Sequence, residues 1–122
     1  MWLLDTSIII DVLRGTEPAV GFAHGLAERP RISVVSISEL RDGQKGAPEI
    51  ARIDRFLATA ILYDVTRDIA EISGGLMRRY RKSHGLTTAD ALIAATALHH
   101  QLQLATLNFK HFPMFPKLAR PY

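Results

Sequence analysis

Between Leu86 and His100 the chain reads LTTADALIAATALHH, and one charge within it limits what the whole can become. Wound as a helix, the stretch sets Ile93, Ala94, Ala97 and Leu98 three, four, seven and eight residues beyond Asp90, spacings that share a face. A carboxylate therefore heads an apolar stripe directed at the core. Burying an acid is costly unless it is hydrogen-bonded, paired or bound to a cation. Local chemistry offers one answer. Thr87-Thr88-Ala89-Asp90 fits a capping box, in which Asp90 serves only its own helix and gains from the helix dipole. The other answer is that distant parts of the chain meet it.

The surroundings of that stretch set the fold class. Short apolar runs at Trp2–Leu4, Ile32–Val35, Ala60–Val65 and Leu102–Thr106 read as strands. Helical periodicity fills the intervals, over Ile8–Leu13 after Thr6-Ser7, over Glu17–Glu28, from Ser36, over Glu49–Leu57 and from Thr66 to Ser83. Ser36 and Glu39 have capping-box spacing, Gly43, Gly46 and Pro48 mark a loop, and Lys117–Tyr122 reads as a short edge strand. Strands alternating with helices imply parallel crossovers and a sheet covered on both faces. The expectation is α/β: a three-layer sandwich with a short, mainly parallel central sheet flanked by helices, one domain over residues 1–122. There is no cysteine, which removes disulfides and thiolate metal sites. No signal-peptide pattern and no apolar run of roughly 18 residues is present, so the reading is a cytoplasmic protein with no membrane partner.

In a parallel sheet the carboxyl ends of the strands share one edge, and ligands bind in the crevice there. Asp5 ends the first strand, Glu39 lies a few residues past the second, and Asn108 lies just past the fourth. The helix of Asp90 leads into the fourth strand and so begins on the same edge. Each acid alone reads as a helix cap. Jointly, Asp5, Glu39 and Asp90 would repel one another on one rim unless a cation lay between them. Hard oxygen donors of this kind suit Mg²⁺ or Mn²⁺. Asp42, Asp54, Asp64, Asp68 and Glu71 read as solvated faces or helix starts, and the five histidines lack metal-ligand spacing. From Arg78 onward seven Lys/Arg face one acid, a basic asymmetry that points to nucleic acid, although cations near a helix end also suit its dipole. Arg78, Arg79, Arg81 and Lys82 are the candidate backbone-binding residues.

LLDTSIIIDVLRG from Leu3, SISEL from Ser36, TADALIAATA from Thr88 and ATLNFKHF from Ala105 together resemble PIN-domain proteins, most closely the VapC-type toxins of bacterial toxin–antitoxin pairs. The resemblance runs in order over nearly the whole chain. It implies a Mg²⁺- or Mn²⁺-dependent ribonuclease, a homodimer held inactive by a cognate antitoxin, with operator DNA reached only through that antitoxin. Carried over by position, Asp5 and Asp90 are the principal metal ligands, Glu39 the third acid and Asn108 a further site residue, with Thr6 and Ser7 beside them. Family members often carry an acid where this chain has His111. Two rival classes fit the acid cluster or the charge: a phospho-acceptor signalling domain, which needs a lysine late in the chain, and a non-catalytic nucleic-acid binder using Leu86–His100 as recognition helix.

Overall fold

A computed structural model describes residues 1–118 and 120–122. Four strands, β1 (Trp2–Leu4), β2 (Arg31–Ser33), β3 (Ile61–Tyr63) and β4 (Gln103–Ala105), form one sheet in the order β3-β2-β1-β4, with every pairing parallel. Among the described residues, six α-helices connect them: α1 (Thr6–Leu13), α2 (Glu17–His24), α3 (Val34–Gly43), α4 (Gly46–Thr59), α5 (Arg67–His84) and α6 (Thr88–His99). The three-layer α/β expectation holds. Among the described residues, no helix is long and apolar enough to cross a membrane.

The period-2 alternation of the strands divides the core in two. Leu4, Ile32 and Ala105 face one cluster, completed by Ile8 and Ile9 of α1, Leu40 of α3 and Ile53 of α4. Leu3 and Leu104 face the other, where α6 supplies Ile93, Ala94 and Ala97. Each fully buried aliphatic side chain contributes about 1.5–3 kcal/mol, so the two short faces hold the sheet from both sides. The order of strands matters for function. The chain steps outward from β1 to β2 to β3, then returns across the sheet through α5 and α6 to place β4 against the open side of β1. The reversal falls between β1 and β4, and such a switch point leaves a crevice at the carboxyl ends of the two strands.

Several boundaries differ from the sequence reading for physical reasons. Val34 and Val35 belong to α3, because Ser33 ends β2 and its buried hydroxyl accepts the Val35 N–H at 3.1 Å. The cap is therefore Ser33, and the Ser36–Glu39 box does not form. α4 begins at Gly46, taking the expected loop residues Gly46 and Pro48 into its first turn, where proline costs no hydrogen bond. α5 runs unbroken through Gly74-Gly75 and ends where Gly85 adopts φ 64°, a left-handed cap that glycine adopts without strain. α6 is buried at Ala91, Ala94, Ala95, Thr96 and Ala97, on more than one stripe, while Leu98 is 40% exposed. Its alanines let it lie between the sheet and α5. Finally, the described residues of Lys117–Tyr122 form no strand, and Ala119 lies outside the described residues. Pro116 and Pro121 have no N–H to give a ladder, and Tyr122 instead turns back to donate to Asp11 of α1 at 2.6 Å.

Candidate active site

Asp5 stands at the switch point. Its backbone N–H donates to Ala105 O at 2.8 Å, which continues the β1–β4 pairing by one residue, and its carboxylate then caps α1 by accepting the Thr6 N–H at 2.9 Å. The capping role foreseen for it is real, but it uses one oxygen only. The other accepts the Ser7 hydroxyl at 3.0 Å and the Thr106 hydroxyl at 2.7 Å. Both hydroxyls are oriented from behind, because Ser7 Oγ accepts the Leu107 N–H and Thr106 Oγ1 accepts the Asn108 N–H. The segment after β4 thus holds the donors that hold Asp5. Burial, which leaves Asp5 2% exposed, is the main force raising its pKa above the ordinary 3.8, and the charge of Asp90 adds to it. The hydrogen bonds from Thr106, Ser7 and Thr6 oppose the rise without cancelling it.

Glu39 is reached from the next residue along. Thr6 Oγ1 donates to Glu39 Oε1 at 2.6 Å and lies 2.9 Å from Ser36 Oγ. Thr6 has one hydroxyl hydrogen and Glu39 takes it, so Ser36 donates to Thr6. Loss of water around the Glu39 carboxylate raises its pKa above the ordinary 4.5 against the Thr6 hydrogen bond, with the charges of Asp5 and Asp90 adding to the rise. Asp90 enters from α6. Its backbone N–H donates to Thr87 Oγ1 at 3.2 Å, half of the capping box, while its carboxylate turns away to lie 3.3 Å from His111 Nδ1 in the 3₁₀ turn Phe109–His111.

Asp5, Thr6, Ser7, Glu39, Asp90 and Asn108 line one cavity of about 320 Å³ together with Ile10 and Asp42. Asp42 is exposed, as its reading as a solvated face expects, and it also lines the cavity because it follows Glu39 by three residues on one helix and so shares its side. Thr106 and Ser36 were also overlooked as site residues. A hydroxyl two positions before Asn108 and a second one beside a supposed cap carry no distinctive signal in sequence.

Residues 2–118 match the PIN domain family. The chain belongs to the PIN-domain family. It is 42% identical over 126 aligned residues to Ribonuclease VapC19 of Mycobacterium tuberculosis, covering all of both chains. It is 43% identical to Ribonuclease VapC10 of the same organism, covering all of this chain and 93% of that one. Among solved structures it superposes on a chain of a toxin–antitoxin complex from Klebsiella pneumoniae with a TM-score of 0.84 and 33% identity, covering 100% of this chain and 98% of the other.

Other features of this PIN domain narrow its chemistry. The residues lining the acidic cavity include no lysine, which a phospho-acceptor site needs beside its acids. α6 is buried on most sides and cannot lie in a nucleic-acid groove as a recognition helix. Arg78, Arg79, Arg81 and Lys82 are exposed on the last turns of α5, and none of them lines the cavity. Among the described residues, no three His, Asp or Glu side chains are arranged to hold a metal ion by themselves. The residues nevertheless fit a hydrated one. The side chains lining the cavity that could ligate a cation offer carboxylate, hydroxyl and amide oxygens, two of its carboxylates are raised in pKa by mutual repulsion as well as burial, and Mg²⁺ commonly takes one or two carboxylates with water and phosphate.

Proposed function

We propose that this chain is a Mg²⁺- or Mn²⁺-dependent ribonuclease acting as the toxin of a toxin–antitoxin pair, hydrolysing RNA phosphodiester bonds at the cavity between β1 and β4. The observation that carries the reading is the convergence of Asp5, Glu39, Asp42 and Asp90 on one cavity at the switch point of a PIN domain. Full-length identity to two proteins named as ribonucleases supports the activity, and likeness to a chain of a toxin–antitoxin complex supports a cognate antitoxin as partner. A homodimer, a cytoplasmic setting and operator DNA reached only through the antitoxin complete the reading.

In this scheme Asp5 and Asp90 hold the cation. When bound, a divalent ion neutralises charge at the scissile phosphate and acidifies water. Thr106 and Ser7 fix the rotamer of Asp5, so that acid need not reorganise as substrate enters, and His111 lies against the carboxylate of Asp90. Glu39 has Oε1 committed to Thr6 and presents Oε2 to orient, or take a proton from, the attacking water. Asn108 is neutral and donates to a phosphate oxygen without adding to the repulsion. Attack by water with departure of the 3′-oxygen leaves a 5′-phosphate and a 3′-hydroxyl.

The test is a divalent-ion titration of the purified protein on a mixed RNA pool with product ends mapped. Cleavage is expected to vanish in EDTA, return with Mg²⁺ or Mn²⁺, and yield 5′-phosphates. Asp90→Asn is expected to fold, since Thr87 caps α6 through a backbone N–H that the change leaves in place, and to lose cleavage. Cleavage that persists in EDTA, or cyclic-phosphate ends, would overturn the reading.

A further inference from the structure

Immediately beyond the acidic cavity the surface changes character. Asn108 lines that cavity, and the next two residues, Phe109 and Lys110, line a second, open cleft of about 510 Å³ closed by Ser83, His84 and Pro113. The two are joined by one 3₁₀ turn, whose last residue, His111, touches Asp90. The lining of the second cleft holds no acid. Arg120 brings its guanidinium over the Phe109 ring, 6.0 Å from the centroid, and Arg81 and Lys82 precede Ser83 in the same helix. His84 is held in place, with Ser83 Oγ 2.7 Å from Nδ1 and the Tyr80 ring edge-on at 5.7 Å. Where Ser83 donates to Nδ1, Nε2 carries the hydrogen and can donate to an anion.

We propose that this cleft is a subsite for one unpaired nucleotide flanking the scissile phosphate, with its base stacked on Phe109 and its phosphate held by Lys110 and His84. The proposal rests on the ribonuclease reading for which nucleic acid is bound, and it names the form of that substrate. An aromatic ring beside cations is how proteins grip single strands without reading sequence, and arginine over the ring adds to the attraction. A base inside a duplex has both faces covered, so reaching Phe109 would cost a few kcal/mol of unstacking. The Phe109 subsite therefore takes its nucleotide from an unpaired segment of the bound RNA.

Fluorescence anisotropy with EDTA present separates binding from cleavage. The probes are a labelled single-stranded RNA of mixed sequence and the same RNA fully paired. Phe109→Ala is expected to weaken single-strand binding by about tenfold, within the cost of losing one base–aromatic stack. Phe109→Trp should bind at least as well as the unaltered protein. Paired RNA should bind more weakly and change less than about twofold with either substitution. Phe109 is half-buried, so Phe109→Leu, which keeps most of the packing volume and loses the aromatic face, carries the test if the alanine variant melts early. Lys110→Ala, at an exposed position, should weaken binding and flatten its salt dependence. If Phe109→Ala and Phe109→Leu both bind single strands as the unaltered protein does, or paired RNA binds as tightly as unpaired, the subsite is refuted whatever the fate of cleavage. Binding that depends on Phe109, with no cleavage when Mg²⁺ or Mn²⁺ is added, would keep the subsite and remove the nuclease.

Discussion

Asp5 carries two duties that conflict in the absence of a cation. As a cap it wants to be ionised at the start of α1, yet burial and Asp90 hold its pKa above the ordinary 3.8, and Glu39 is likewise held above 4.5. An acid whose pKa is raised by folding binds more protons in the native state than in the unfolded one. Its contribution to stability is full below the unfolded value and is lost as pH rises through the native value. In EDTA, thermal unfolding should therefore show Asp5→Asn gaining on the unaltered protein as pH climbs from about 4 towards neutrality. A saturating divalent ion should close that gap at neutral pH, since a ligand at a hundredfold excess over Kd contributes about 2.7 kcal/mol. A difference between the two that does not depend on pH would mean that Asp5 feels no such crowding. At this scale the sequence was informative where a residue's place in the chain sets its place in space. Asp5, Glu39, Asp90 and Asn108 could be gathered because each has a fixed offset from a strand end. Asp42 was within reach of the same reasoning, three residues beyond Glu39 on one helix, but Thr106 and Ser36 were not, because which hydroxyl joins such a network depends on rotamers and on backbone N–H groups that only the folded chain brings near.

Elements were legible to the degree that local preference and tertiary packing agree. β1, α5 and α6 satisfy both, and their limits fall within about two residues of the sequence reading, ordinary scatter for helix ends. Conflict arises at Ser33-Val34-Val35-Ser36. Two valines favour a strand, but a strand continued to Val35 would carry Glu39 away from Thr6 and leave Leu40 outside the cluster it fills with Ile8 and Ile53. Packing wins, and Ser33 is the residue that lets it. Its fully buried hydroxyl satisfies one of the N–H groups that every helix start leaves without a partner. Ser33→Ala is therefore expected to cost about 1–2 kcal/mol in urea unfolding with the slope unchanged. Because α3 also carries Glu39, cleavage should fall in step with any fraying of its first turn. A variant as stable as the original would move the cap to Ser36 and restore the capping reading of Glu39.

Across the whole molecule the charges are sorted. A chain of net charge +3 confines four carboxylates to a single cavity at one edge of its sheet. It also sets Arg78, Arg79, Arg81 and Lys82 in solvent at the end of α5, within about one and a half turns of the Ser83–His84 wall of the neighbouring cleft. The acids would repel a polyanion from the very place where it must react. A cation reverses that locally, and the basic helix end supplies attraction at longer range, where it steers without occupying the site. The division of labour has a measurable signature. Each phosphate contact to a single strand releases condensed counterions and contributes about −0.7 to the slope of log K against log salt. Replacing the four basic residues by alanine should therefore make that slope shallower by up to about 3 and weaken RNA binding most at low salt. The melting temperature should fall only modestly, because of the four only Arg81 and Lys82 stand in the last turn of α5, where an exposed charge is worth a few tenths to about 1 kcal/mol. If the quadruple variant binds RNA with an unchanged slope, those cations serve only the dipole of α5, and the strand must reach the acidic cavity by another path.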